Sequence, residues 1–353
     1  MQTDAMPVNL TRQGPGIMLP DELPPDEFIA LVELADALRY SELWLTDQRF
    51  WRDCYMGLAL AARHSTHLLL GPGVNDPFTR HPATIAMAIA TLDELSHGRA
   101  QLGLGVGGSG IREMRLSKDR PVRALQEAMA LIRAMLSGET VHYSGELFHL
   151  DGGKLGFTTV STTIPIYVAT HSPQVLRLCG RLADGVLLGN VANGAGLAEA
   201  VLIVREAERA AGRQPGSVLI DLRLEACISD DDEAAIATMR RRFAVRLLAT
   251  FPHWDYLERL GIDATQGLRA AAEAKSIEAI MAELSDEAVM ATALVGSAER
   301  VTEQLRSLLI ENVTRVTIRP YPSQGQDFGS TMVAFAERVW PAASGQIQVV
   351  GRA

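Results

Sequence analysis

Short apolar runs alternate along the chain with longer segments in which apolar residues recur at helical spacing. Eight runs are predicted to be strands, at residues 16–19, 41–46, 67–70, 100–106, 164–169, 185–188, 218–228 and 315–319. The segment opened by Pro121 is typical of the helices between them, since Leu125, Met129 and Ile132 fall on one face. Strands that alternate with helices form parallel βα units, and eight such units close a (β/α)8 TIM barrel. We therefore predict an α/β fold of this class.

The length of the chain bears on its division into domains. Its 353 residues exceed the usual size of one domain, but α/β barrels of more than about 250 residues form single units. We predict a single TIM-barrel domain over 1–353. Residues 229–314 separate the seventh and eighth strands, which is far more than one crossover requires. We therefore predict a helical insertion over approximately 229–292, in which Phe251 and Trp254 either line an apolar site or pack internally.

A glycine-rich segment follows the fourth strand. Gly103, Gly105 and Gly108 fit the spacing G-x-G-x-x-G, which in a dinucleotide-binding unit leads directly into a helix and then to an acidic residue at the end of a second strand. Here the acidic residue about 20 positions on, Glu127, lies within a predicted helix, so the dinucleotide interpretation is excluded. Two hypotheses remain: Gly107 and Gly108 let backbone N–H groups approach a ligand, or the segment is a flexible loop.

Two other strand ends carry polar and turn-forming residues. The third strand runs into turn formers at 71–77, which predict a sharp bend that is either a cofactor platform or a plain tight turn. Asp47 and Gln48 close the second strand and either point at the barrel mouth or cap the following turn.

The loop after the fifth strand combines hydroxyl groups with the start of a helix. It contains Ala169, Thr170, His171 and Ser172, and Pro173 opens the helix that follows. A helix N-terminus beside two hydroxyl groups is suited to an anion. The alternative is that Ser172 serves as an ordinary N-cap and that no ligand binds there.

Composition and charge exclude several partners. A net charge of −9, from 42 acidic and 33 basic residues, argues against nucleic acid. No leader-like segment opens the chain and no run approaches 18 apolar residues, so we expect no membrane association. The three cysteines and the histidines show no metal-ligand spacing, so no metal is predicted. An odd cysteine number argues against a complete disulfide framework, and a cytoplasmic location is predicted.

Several motifs together resemble the luciferase-like flavin and F420-dependent oxidoreductases. They are LTD at 45–47, GPGVNDPFTRHP at 71–82, TLDELSHGR at 91–99, LGLGVGG at 102–108 and ADGV at 183–186. The similarity extends over about 15–189 and returns at 294–320. Within the family the chain most resembles the branch that uses the deazaflavin coenzyme F420, typified by methylenetetrahydromethanopterin reductases.

The resemblance implies roles for the loop residues. Gly73 and Val74 would be joined by a non-proline cis peptide bond that backs the deazaflavin ring, and Asp47 would lie near the polar edge of the ring. Gly107, Gly108 and the loop from Ala169 to Ser172 would bind the phosphate-bearing tail of the cofactor.

Two residues depart from the family pattern. Gln48 stands where members with proton-transfer chemistry often carry histidine, and an amide cannot titrate. Met18 stands where the reductase branch commonly has glutamate. These departures argue against a pterin substrate, whereas hydride transfer itself requires mainly orientation and exclusion of water.

The leading functional hypothesis is an F420-dependent oxidoreductase that transfers a hydride between deazaflavin and a small organic substrate, with Asp47 and Gln48 as the candidate catalytic residues. An FMN-dependent luciferase-like monooxygenase is the alternative, because both cofactors have anionic tails. A third hypothesis, favoured by Gln48 and Met18, is a cofactor-less binding or subunit protein on the same fold. The resemblance also implies a homodimer, although no surface for it is identified.

Overall fold

The computed structural model describes residues 14–107, 110–111, 113–309 and 313–345. Its described residues fall into two compact units. The first unit consists of the described residues within 1–188 and 202–221, and the second consists of those within 189–201 and 222–353. This division does not test the prediction of a single domain over 1–353.

Strands and helices alternate in the order that the apolar pattern predicts. The strands are β1 (Gly16–Leu19), β2 (Glu42–Leu45), β3 (Leu69–Pro72), β4 (Leu102–Leu104), β5 (Val141–Ser144), β6 (His149–Gly153), β7 (Ile166–Ala169), β8 (Gly185–Gly189), β9 (Leu219–Ile228), β10 (Ala293–Gly296) and β11 (Arg315–Pro320). The helices of the first half are α1 (Pro25–Ala37), α2 (Cys54–His64), α3 (Pro82–Leu95), α4 (Pro121–Leu136), α5 (Pro173–Leu182) and α6 (Gly194–Ala210).

The remaining helices lie in and after the predicted insertion. They are α7 (Asp232–Thr250), α8 (Asp255–Arg259), α9 (Gln266–Glu273), α10 (Ile277–Ala282), α11 (Asp286–Met290), α12 (Ala298–Leu308), α13 (Phe328–Ala334), a π-helix (Phe335–Val339) and α14 (Trp340–Ser344). Five of these helices, α7 to α11, lie within the range 229–292. The strand β10, which follows it and pairs in parallel with β9, was not predicted. No helix among the described residues is long and apolar enough to cross a membrane.

The strands of the first unit form a parallel sheet whose carboxyl ends share one edge. β1 pairs with β2, β2 with β3, β4 with β7, and β7 with β8, all in parallel. Isolated parallel bridges from Leu70 to Ala100 and from Asn75 to Leu104 link β3 to the β4 segment. The predicted ligand loops follow β2, β3, β4 and β7, so they all leave the sheet at that edge.

Large apolar side chains fill the inner face of this sheet. Met18, Trp44, Tyr167 and Leu187 form one buried cluster, against which Val74 packs. The Trp44 and Tyr167 rings meet edge to face with centroids 5.4 Å apart, a favourable arrangement for aromatic pairs. The ends of the strands therefore stand on a layer of close-packed side chains.

In the second unit, α7 packs its apolar face against β9 and β10. The buried cluster consists of Cys227, Ala235, Ile236, Met239, Val289, Ala293 and Val295. Trp254 is also buried and donates a hydrogen bond from Nε1 to the Leu247 carbonyl oxygen, 3.0 Å away. Its ring meets Phe251 edge to face. Internal packing is thus the observed environment of the Trp254 indole.

A buried carboxylate attaches the β5–β6 hairpin to α4. Glu127, only 2% exposed, accepts hydrogen bonds from the backbone N–H groups of Glu146, Leu147 and Phe148 at 2.9–3.1 Å. Burial favours the neutral acid, but these three donors and Arg123 outweigh it and lower the pKa of Glu127 to about 2. The ionised form is therefore the one that fixes the hairpin turn.

Replacement of Glu127 by Gln should destabilise the protein by about 1–3 kcal/mol at pH 7, because an amide places donors against backbone donors. A carboxylate whose pKa is lowered on folding stabilises the protein above its ordinary pKa and loses that contribution as the pH falls toward about 2. Urea unfolding from pH 7 to pH 3 should therefore show the difference between wild type and Glu127→Gln shrinking. The exposed Glu139→Gln variant is the control, and an equal loss in both variants would contradict the assignment.

Candidate active site

The loop after β3 bulges out of the sheet at Gly73 and Val74. The peptide bond between them is cis, as the family resemblance predicts. The bulge is held on both sides: the Gly73 N–H donates to the Leu45 carbonyl oxygen at 2.8 Å, and the Asn75 N–H donates to the Gly103 carbonyl oxygen at 2.9 Å. The half-buried Val74 side chain is thereby fixed above the apolar layer of the sheet.

Most glycines of these strand ends make room for the protein itself. A Cβ atom on Gly73 would stand 2.6 Å from the Met18 Cε atom, and one on Gly103 would stand 2.8 Å from the Val74 Cγ1 atom. A Cβ atom on Gly105 would meet the Val74 Cγ2 atom at 2.6 Å. Gly103 and Gly105 are therefore required by the position of the Val74 side chain.

Gly107 differs from the other glycines. Its φ is +150°, and no described atom lies within 4 Å of the position that a Cβ atom would take. Its N–H donates to the Asp76 carboxylate at 3.3 Å, which ties the loop after β4 to the loop after β3. Gly108, the other predicted ligand residue of this loop, lies outside the described residues.

Asp47 lies at the centre of a polar network. Its buried Oδ2 atom accepts hydrogen bonds from Asn75 Nδ2 at 2.7 Å, from an Arg49 guanidinium nitrogen at 3.1 Å and from Arg80 Nε at 3.3 Å. Arg80 also donates to Oδ1 at 3.3 Å. A carboxylate shared among an amide and two guanidinium groups is suited to fix the geometry of the surrounding loops.

The network continues onto α2 through residues that sequence reasoning did not single out. The Tyr55 hydroxyl donates to Asn75 Oδ1 at 2.6 Å, and Arg80 lies over the Tyr55 ring and pairs with Asp53 at 2.6 Å. Burial, followed by neighbouring charges that include Cys54, raises the pKa of Tyr55 well above its ordinary value, so the phenol stays a donor. Asn75 and Arg80 belong to the motif at 71–82, which could have marked them, whereas no pattern marks Tyr55.

Gln48 is turned toward the loop after β1. Its side-chain amide donates to Asp21 Oδ1 at 2.9 Å and to Glu22 Oε1 at 2.7 Å. Its backbone N–H donates to Asp21 Oδ2 at 2.7 Å. Because both donors of the side-chain amide are taken by carboxylates, Gln48 connects the loops after β1 and β2.

The start of α5 has an N-cap residue without a side-chain cap. Ser172 occupies the N-cap position, but its hydroxyl caps none of the described N–H groups of the first turn. Instead, the Ser172 N–H donates to Thr170 Oγ1 at 2.9 Å, which closes a tight turn. Ser172 thus holds the N-cap position with an exposed hydroxyl that makes no capping hydrogen bond to the described N–H groups.

The described candidate residues belong to one contiguous set of loops in the first unit. Asp47 contacts the loop after β3 through Asn75, and that loop contacts Gly107 through Asp76. A Cβ atom on Gly105 would stand 3.7 Å from the Ala169 Cβ atom, so the loops after β4 and β7 adjoin.

Comparison with known proteins agrees with this arrangement. The luciferase-like monooxygenase family matches residues 7–346. A 5,10-methylenetetrahydromethanopterin reductase of Methanolobus tindarius is 32% identical over 80% of this chain and 87% of its own length. The F420-dependent hydroxymycolic acid dehydrogenase of Mycobacterium tuberculosis is 33% identical over 65% of this chain and 67% of its own length.

A solved structure shows the fold. The coenzyme F420-dependent tetrahydromethanopterin reductase of Methanopyrus kandleri superposes with a TM-score of 0.84 and 24% identity, over 94% of this chain and 99% of that chain. The predicted (β/α)8 barrel is therefore confirmed. The chain belongs to the luciferase-like monooxygenase family, and the resemblance to its F420-dependent reductase branch is confirmed.

Replacement of Gly103 by Ala should cost about 1–3 kcal/mol of unfolding free energy, because the added methyl group overlaps Val74 and the Pro72 carbonyl oxygen. The matched control is Gly156→Ala, where no described atom lies within 4 Å of the added Cβ atom and the change should be neutral or slightly stabilising. Urea unfolding measures both. A Gly103→Ala variant as stable as the control would refute the close packing of Val74.

Proposed function

We propose that this protein is an F420-dependent oxidoreductase that transfers a hydride between deazaflavin and a small organic substrate. The observation that carries the proposal is the Gly73–Val74 bulge. It stands on a close-packed apolar layer, and Asp76 ties its loop to the loop of Gly107. The relatives named above are an F420-dependent dehydrogenase and a reductase of the same branch.

The residues fit the two ends of such a cofactor. Val74 offers a fixed apolar contact for a planar ring, because Met18 and Trp44 support the bulge from below. The uncapped first turn of α5 suits an anionic tail, and the empty side-chain position of Gly107 leaves room beside it for the tail to pass. When bound, the deazaflavin would supply the carbon that accepts or gives the hydride.

The polar residues of the site would act mainly by positioning. Asp47 is held by three side-chain donors, so it can fix Asn75 and Arg80 around the bulge. Gln48 cannot transfer a proton, because an amide does not titrate. We therefore keep Asp47 and Gln48 as catalytic-site residues that hold the surrounding loops in position, and we propose no acid–base step at Gln48.

Titration of the purified protein with F420 and with FMN, followed by absorbance and fluorescence, tests the cofactor. We expect saturable binding of F420 and weaker binding of FMN. Tight binding of FMN without binding of F420 would favour the monooxygenase alternative. Binding of neither cofactor would favour the cofactor-less alternative.

The Ser172→Asp variant tests where the anionic tail binds. Aspartate at this N-cap should satisfy the first turn of α5 and leave the melting temperature unchanged or higher. Its charge should weaken F420 binding at least about tenfold, because it occupies and repels the anion site. Gln214→Glu adds the same charge at an exposed position outside the site and is the control. Unchanged F420 affinity in Ser172→Asp would remove α5 from the cofactor site.

We also propose that the protein forms a homodimer through exposed apolar side chains at α2 and α3. Phe50 is 73% exposed, Trp51 56%, Met56 72% and Met87 50%. Phe50 and Trp51 lie in the loop before α2, and Met56 lies on that helix, which packs against α3. A concentration of exposed large apolar residues on adjoining elements is typical of a protein interface.

The Met56→Lys variant should shift the protein toward monomer, because a charge would be buried in the proposed interface. Light scattering after size-exclusion chromatography measures the mass of each species. Val160→Lys, at an exposed apolar residue outside this patch, should leave the mass unchanged. A monomeric wild type, or a dimer insensitive to Met56→Lys, would contradict this interface.

A cytoplasmic location remains part of the proposal. Cys54, Cys179 and Cys227 are buried and form no disulfide. Burial raises the pKa of Cys179 and of Cys227 to about 12, so both remain unreactive thiols. Free thiols of this kind are compatible with a reducing compartment.

A further inference from the structure

A second cluster of charged residues lies in the second unit. Glu225 on β9 is buried and accepts hydrogen bonds from Arg242 Nε at 3.0 Å, from Arg246 and from the Tyr321 hydroxyl at 3.3 Å. Arg242 and Arg319 both lie over the Tyr321 ring, 5.3 and 5.5 Å from its centroid. Three guanidinium groups thus surround one carboxylate and one phenol.

The cluster stands at the carboxyl end of β11. Tyr321 directly follows β11, and its N–H donates to the carbonyl oxygen of Ala226 at 2.8 Å. Tyr321 therefore lies beside the part of β9 that carries Glu225. Active-site groups of α/β barrels lie at the carboxyl ends of strands, and the loops after strands seven and eight often bind phosphate groups. Here β9 and β11 are the seventh and eighth strands of the predicted barrel.

The charges of the cluster favour an added anion. Burial favours the neutral form of Glu225, but Arg246, Arg242 and Arg319 outweigh it and lower the pKa of its carboxyl group. Arg242 and Arg246, one helical turn apart on α7, share this single carboxylate. The buried Nε atom of Arg246 has no hydrogen-bond partner among the described residues. Guanidinium groups recognise carboxylates and phosphates through paired N–H donors, and the Arg246 Nε–H is unpaired among the described residues.

We infer that Arg242, Arg246 and Tyr321 bind an anionic group of the substrate, a carboxylate or a phosphate ester. The inference rests on the proposed function, which leaves the substrate as a small organic molecule, and it narrows that class to organic acids and phosphate esters. The tail of the cofactor is assigned to the loops after β4 and β7, on other strands of the fold. A purely structural role, in which the arginines only attach α7 to β9, is the competing explanation.

Inorganic phosphate and acetate are the probes, titrated calorimetrically into the full chain at low ionic strength. We expect wild type to bind one of them, and both Arg242→Gln and Arg246→Gln to bind it at least about tenfold more weakly. Arg241→Gln is the matched control, because Arg241 lies on the same helix, 62% exposed and 3.9 Å from Glu278. Its affinity should equal that of wild type.

Thermal unfolding of each variant shows whether it is folded. If Arg246→Gln does not fold, Arg246→Lys takes its place, which keeps the charge but loses the paired donors. The inference would be overturned if wild type and the folded arginine variants bound phosphate or acetate with equal affinity. That result would mean that the anion binds elsewhere, for example at the start of α5. Failure of wild type to bind either probe would overturn it as well.

F420 titration of the same variants separates the inference from the proposed function. If Arg242→Gln and Arg246→Gln bind F420 as tightly as wild type but no longer bind the anion, the arginines form a substrate site. Loss of F420 affinity in these variants would assign the arginines to the cofactor tail and overturn the inference. Failure of wild type to bind F420 would reject the proposed function, whereas anion binding by the arginines would still be measured.

Discussion

The packing of Trp44 against the glycines of the neighbouring strand end is the constraint on which the site depends. The indole is fully buried on the inner face of the first-unit sheet, and its Cβ atom would stand 3.1 Å from a Cβ atom on Gly73. Its N–H has no hydrogen-bond partner among the described residues, at a cost of about 1–3 kcal/mol. Burial of a side chain of this size contributes about 4–6 kcal/mol, so packing outweighs the unpaired donor.

This packing decides how the strand end is used. Trp44 and Met18 leave no room for a side chain at Gly73, and the Val74 side chain packs against the cluster they form and lies close to Gly103 and Gly105. The polar network then fixes the bulge from outside, because Asn75 bridges Asp47 and Tyr55. An apolar layer below and a hydrogen-bonded frame around it give a rigid platform, which is the arrangement that hydride transfer needs for orientation.

The two units carry contrasting electrostatics. In the first unit Asp47 is enclosed by donors, and Asp53 pairs with Arg80, so positive and negative side chains are closely matched. In the second unit, three arginines lower the pKa of one glutamate. The first arrangement suits a framework that holds a large cofactor, and the second suits recognition of a separate anionic group.

The sequence by itself determined the eight strands, the helices between them and the loops that carry the candidate residues. Apolar periodicity and turn-forming residues are local properties, so β1 was predicted to the residue and the motif at 71–82 marked the bulge. Only the tertiary structure decided why Gly103 must be glycine, that the Ser172 hydroxyl is not a cap, and that Arg242 and Tyr321 meet at Glu225. These features arise from residues far apart in the chain, and no local pattern encodes a distance between two such side chains.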